Sequence, residues 1–161
     1  MSNRFIAVLV GVLAIGALVA GCGSSSEDST GGEGDSATAL TKNELIEQGD
    51  AICEKGEKAI EEEAEEFAED NNIETSKPTK AQQEEVIGQV VAPGVRRQVE
   101  QIGDLTPPSG DEAQIEAIVD AVETGADELE ENPSLLIEGK NPLGKGSKLA
   151  RQYGFKECGE E

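Results

Sequence analysis

From Leu40 to the C-terminus, apolar residues recur every three or four positions, which is the period of a helix with one buried face. Leu45, Ile52, Cys53, Ile60, Ala64 and Phe67 form the first such stripe. Thr41 with Glu44 three residues on has the form of a capping box, and Leu40 and Leu45 occupy the two positions of a hydrophobic staple, so a helix is predicted over about 42–70. Gly49 and Gly56 lie on the same face as Cys53. Each costs a helix about 1 kcal/mol against alanine, a cost that makes sense if another chain segment passes close beside Cys53. A second capping box, Thr79 with Gln82, opens a stripe of Val86, Val90, Val91, Val95, Val99 and Ile102. Pro93 lies within it, so a kink or short break is predicted near Ala92 to Gly94, and Leu105-Thr106-Pro107-Pro108 ends the helix.

A third helix is predicted from Ser109, with Glu112 three residues later, through Ile115, Ile118, Val119, Val122 and Leu129 as far as Pro133. Asn132-Pro133 and Asn141-Pro142 each read as an N-cap followed by a first-turn proline, giving two short helices near the end. The last carries Leu149, Ala150 and Tyr153, stops at Gly154 and turns Phe155 back towards Ala150. No segment alternates with period two for long enough to make a strand. The expected fold is all-α: a small three-helix bundle with short C-terminal helices and one disulfide.

The first 39 residues follow other rules. Arg4 precedes Phe5 to Ala20, an uncharged run of apolar residues and glycine that is shorter than the roughly 20 residues a permanent membrane span requires. Charged start, apolar run and small residues before Cys22 make a secretory signal. Val19-Ala20-Gly21-Cys22 resembles the lipobox of bacterial lipoproteins. That resemblance implies a diacylated Cys22 thiol, cleavage between Gly21 and Cys22, and a protein held by lipid on the outer face of a membrane, since each buried methylene contributes about 0.8 kcal/mol. Residues 23–39 contain glycine, serine, threonine, alanine and acids but no large apolar side chain, the composition of a flexible tether. The expected division is therefore a signal peptide at 1–21, a lipidated tether at 22–39 and a helical domain at 40–161.

Loss of residues 1–21 removes one charge, Arg4, and leaves 140 residues with a formal charge of about −22. Such a charge repels phosphate backbones, so nucleic acid is not an expected partner. Phe67, Tyr153 and Phe155 are the aromatics of the mature chain, and the core must be built from Ile, Val, Leu and Ala. A core so sparse calls for covalent help. Once Cys22 is lipidated, Cys53 and Cys158 remain, and an even pair in an exported protein reads as a disulfide. The competing reading, two reactive thiols, lacks a CxxC motif or a histidine to activate either one.

Candidate chemistry is thin. Glu61, Glu62, Glu63, Glu65, Glu66, Glu69 and Asp70 form an acidic run that offers oxygens to a hard cation. Consecutive helical positions diverge, however, and no EF-hand spacing is present, so a solvated face is expected and no metal or cofactor is assigned. Lys140, Lys145, Lys148, Arg151 and Lys156 form a basic segment that a Cys53 to Cys158 bond would bring beside the first helix, where it could offset the acidic run. An anion or cell-wall polymer site is its functional reading. Gly139, Gly144 and Gly146 among these lysines match a phosphate loop only loosely. With no histidine, no GxSxG and no cysteine free of another duty, an enzyme is not expected.

Asp50-Ala51-Ile52-Cys53, the central Leu105-Thr106-Pro107-Pro108 and the terminal Ala150-Arg151-Gln152-Tyr153-Gly154-Phe155-Lys156-Glu157-Cys158 resemble small helical lipoproteins of actinobacterial type. The resemblance implies an all-helical body with a Cys53 to Cys158 bridge and supplies no activity. The expected function is a non-catalytic binding or interaction module of the cell envelope, anchored to the membrane through Cys22 and facing an envelope protein or polymer. The alternative is a small-ligand-binding lipoprotein with a pocket between the kinked second helix and the C-terminal segment. Cys22→Ala should leave an unprocessed precursor that takes up no labelled fatty acid and leaves the detergent phase; wild-type labelling of that variant would disprove the anchor.

Overall fold

The computed structural model describes residues 39–159, so the expected signal peptide at 1–21, Cys22 and most of the expected tether lie outside the described residues. Six helices and a terminal turn make up the domain: α1 (Lys42–Asp70), α2 (Lys80–Val86), α3 (Ala92–Gly103), α4 (Glu112–Glu131), α5 (Ser134–Ile137), α6 (Gly144–Tyr153) and a 3₁₀ turn at Glu157–Gly159. Among the described residues there is no strand, and no helix is long and apolar enough to cross a membrane.

Both capping boxes form. The Glu44 carboxylate accepts from the Thr41 backbone N–H at 2.8 Å and Gln82 accepts from that of Thr79 at 2.9 Å, while each threonine hydroxyl accepts from the N–H of its partner. α1 accordingly starts and stops where the pattern places it. Its burial is less even: Leu45, Gly49, Cys53 and Ala68 are buried, whereas Ile52, Ile60, Ala64 and Phe67 are half-buried.

Pro93 does not break its helix where expected. The backbone instead widens one turn earlier into a π segment, Ile87–Val91, where the Ala92 N–H donates to the Ile87 carbonyl five residues back. Proline brings no amide of its own and crowds the carbonyl of Gln89, and the wider turn accommodates that crowding while the chain stays helical. The extra residue also shifts the phase of the stripe: Val90, Ala92, Val99 and Ile102 are buried and Val86, Val91 and Val95 only half-buried.

Two other starts differ from expectation. α4 begins at Glu112, not after Ser109, because Gly110 turns at φ 99° and the Asp111 carboxylate bonds Tyr153 in place of capping the helix. α5 and α6 begin one and two residues past their prolines; Asn141 Oδ1 accepts the Leu143 N–H at 3.1 Å in a local turn.

α3 packs against both α1 and α4, α4 packs against α6, and the 3₁₀ turn packs against α6 and α1. The arrangement is thus a ring, α1–α3–α4–α6, closed onto α1 by the C-terminus, with α6 a full wall beyond a simple three-helix bundle. The ring is close-set because its contacts are lined with small residues. Gly146, on α6, lies against Val122 of α4 and so serves helix packing, while Gly139 turns the chain at φ 76°. Neighbouring arginines on α3 reach in opposite directions: Arg96 pairs with Asp127 (2.7 Å) and Glu130 (2.5 Å) on α4, and Arg97 pairs with Glu63 (2.6 Å) on α1. The central cluster of Leu45, Ile115, Ile118, Ala150, Tyr153 and Phe155 joins α1, α4 and the C-terminal segment.

Closure is covalent and polar together. Cys53 and Cys158 form the disulfide, bridging 105 positions. One turn earlier on α1, the Asp50 carboxylate accepts from three successive backbone amides, those of Lys156 (2.9 Å), Glu157 (3.0 Å) and Cys158 (3.4 Å). Gly49 sits beneath the Phe155 ring, where a Cβ would collide with it, and Gly56 makes the same room for Gln98. Gly154, at φ 127°, lets the chain reverse, and the Phe155 N–H returns to the Ala150 carbonyl at 3.1 Å.

Reduction of the bridge should lower the stability of the domain by roughly 5 kcal/mol, the chain-entropy value for a loop of this size, read as a drop in the urea midpoint. Asp50→Ala, with the bridge intact, should cost about 2 kcal/mol because three amides lose a charged acceptor. Unchanged midpoints in either experiment would contradict this account of closure.

Candidate functional site

Ring closure brings together residues that are far apart in sequence, among them the segments 50–53, 105–108 and 150–158. Asp50 and Cys53 hold the terminal segment. Leu105 packs on the central cluster, and the Thr106 carbonyl accepts the Leu40 N–H at 3.0 Å. Tyr153 is buried, stacks on Phe155 with ring centroids 5.3 Å apart, and donates its hydroxyl to Asp111 Oδ2 at 2.8 Å. The Lys42 ammonium lies over the same ring, 4.0 Å from its centroid. Asp50, Cys53, Leu105, Tyr153, Phe155 and Cys158 of these segments therefore build the fold's closure.

Two concave features accompany this closure. The first is a partly enclosed cavity of about 160 Å³ within the ring. α1 contributes Cys53, Glu57 and Ile60 to its wall, α3 Val95, Gln98, Val99 and Ile102, and α4 Ile118 and Val122. α6 and the C-terminus add Leu143, Ser147, Ala150, Glu157 and Cys158. This is the place named for the alternative pocket, between the second helix and the C-terminal segment, although it is smaller than the few hundred Å³ usual for a small-molecule carrier. The Ser147 hydroxyl is occupied with the Leu143 carbonyl at 3.4 Å. Gln98 Nε2 is buried and meets no hydrogen-bond partner among the described residues.

The second is an open groove of about 340 Å³ where the C-terminal half of α1 meets α2. Ala64 and Ala68 form one side, Val86 and Ile87 the other, and Ile73 with Pro78 the end. Ile73 is placed there by the end of α1: Asn72 turns at φ 53° and the Ile73 N–H returns to the Ala68 carbonyl at 2.8 Å.

The acidic run lies along α1 beside this groove, exposed except for half-buried Glu63, which takes Arg97. The basic segment does reach α1 through the disulfide, but near Gly49 to Cys53, a few turns short of the acids. Among the described residues no ion pair joins the two; Lys140 pairs with Glu138 at 3.0 Å and the Arg151 guanidinium donates to the Gly159 carbonyl. Within the run, Glu63 pairs with Arg97 of α3. Arg97, Arg96 and Gln98 carry no sequence motif, and what might have singled them out is that they form the polar break in the α3 stripe.

No family model, curated protein or solved structure matches this chain.

Burial raises the Tyr153 phenol well above its ordinary value, and the Asp111 carboxylate beside it adds to the rise. In the unfolded chain the phenol ionises near pH 10. Its stabilising contribution is therefore complete below about pH 10 and is lost as pH climbs from there towards the folded value. Stability of the wild type should fall more steeply above pH 10 than that of Tyr153→Phe, measured by denaturant titration at each pH; parallel curves would refute the assignment.

Proposed function

We propose that this chain is an extracytoplasmic lipoprotein, anchored through lipid on Cys22, whose helical domain is a non-catalytic interaction module of the cell envelope. The anchor rests on the lipobox residues and the apolar run before them. The binding role rests on the groove between α1 and α2: an open groove with apolar walls between paired helices is what a docking module presents. Its occupant is a segment of an envelope protein that carries apolar side chains among basic ones. Apolar side chains match Ala64, Ala68, Val86 and Ile87, and basic ones match the rim, where Glu61, Glu65 and Glu69 follow one helical face and outweigh Lys77 and Lys80. Negative charge at the rim also speeds encounter with a basic partner and makes it salt-dependent.

A photo-crosslinking side chain placed at Val86 in intact cells should give a discrete protein adduct, and one at Glu116, on the exposed face of α4, should not. Ala64→Glu puts a carboxylate into the groove and should reduce the Val86 adduct roughly tenfold, the effect of about 1.4 kcal/mol, while leaving the melting temperature nearly unchanged. Equal adducts from both positions, or indifference to Ala64→Glu, would refute docking at this groove.

A further inference from the structure

If the α1/α2 groove docks a partner, as proposed above, its walls also select that partner's backbone conformation. We infer that the occupant is an amphipathic α-helix. It carries large apolar side chains at helical spacing and lysine or arginine four residues apart along one flank. Backbone pairing comes first. An extended segment brings unpaired N–H and C=O groups, and those it buries must meet partners in the wall that receives them. At the end of α1 the carbonyls of Phe67, Ala68 and Glu69 are already taken by the N–H groups of Asn71 (3.1 Å), Ile73 (2.8 Å) and Asn72 (3.2 Å). At the start of α2 the N–H groups of Gln82 and Gln83 are spent on the hydroxyl and carbonyl of Thr79.

The polar side chains of the lining are committed as well. Gln82 Oε1 accepts from the Thr79 N–H at 2.9 Å, and Gln83 Nε2 donates to the Pro78 carbonyl at 3.2 Å. Among the described residues that leaves Thr75 as the one uncharged polar side chain of the lining without such a bond. A helix needs none of these groups, because it pairs its own backbone and presents only side chains. Ala64 and Ala68 leave room for large ones, about 340 Å³ of it, against Ile73, Val86 and Ile87. Glu61, Glu65 and Glu69 recur every fourth residue beside the two alanines, over about 12 Å at the helical rise. A docked helix matches that span with about two turns, its apolar anchors at i, i+3 and i+7 towards the alanines and its cations towards the glutamates.

The experiment uses the oxidised full chain with the photo-crosslinking side chain at Val86, and short peptide probes of leucine, lysine, alanine and glutamine. One probe sets leucine and lysine at helical spacing, a second adds a proline at its centre, and a third alternates leucine and lysine. The helical probe should give a saturable adduct at Val86 that added salt weakens, and none when the label sits at Glu116. Glu65→Lys should weaken that adduct about tenfold. The proline probe, which cannot stay helical through its middle, and the alternating probe should each bind at least about tenfold more weakly than the helical one. An undiminished Val86 adduct from the proline or the alternating probe would overturn the helix while leaving docking in place, and indifference to Glu65→Lys would overturn its charged flank. Failure of the helical probe while the adduct in intact cells persists would overturn the inference too; loss of that cellular adduct as well would remove the docking reading itself.

Discussion

Helices set side by side in a ring bury little of their inner surface until the last wall meets the first, and in this chain that meeting falls to six residues at the C-terminus. Cys158 is bonded to Cys53, the Asp50 carboxylate collects the backbone amides of Lys156, Glu157 and Cys158, and Phe155 lies where Gly49 has no side chain. The three contacts occupy little more than one turn of α1. Without them α6 still packs on α4, but nothing draws it to α1, and the core of Leu45, Ile115, Ile118 and Phe155 opens. A chain with so few aromatic residues has little other means of holding its ends together.

Charge follows the same geometry. Most of the acids are exposed on outward faces, while α3, set between α1 and α4, carries the two arginines that reach acids on both. Exposed ion pairs of this kind contribute little individually. Their placement does relieve repulsion where acidic helices are forced together, and it leaves the outer face of α1 uniformly negative beside the groove.

Local signals in the sequence were read correctly because they act over three or four residues. The capping boxes at Thr41 and Thr79 need only their own partners, and α1 matches the pattern from Lys42 to Asp70. The pair Cys53 and Cys158 followed from parity and compartment, and Gly49 from its conflict with helix propensity. The start of α4 was misjudged because Asp111 spends its carboxylate on Tyr153, 42 positions away, and no window of sequence contains both. The π segment shows the same limit: Pro93 announced a disturbance, but the burial of Val90 and Ala92 decided where the backbone absorbed it. Cavity and groove were the least legible, since each is formed by walls from separate helices. Gln98 looked like any other polar residue in a helix.

The position of the bridge near the start of α1 has one more outcome. The connections at 71–79, 104–111 and 138–143 all fall between Cys53 and Cys158. A protease that cuts any one of them produces two pieces that stay covalently joined and that share a packed core. The nicked domain would keep its packed core and run as a single band until its sulfur bond is reduced.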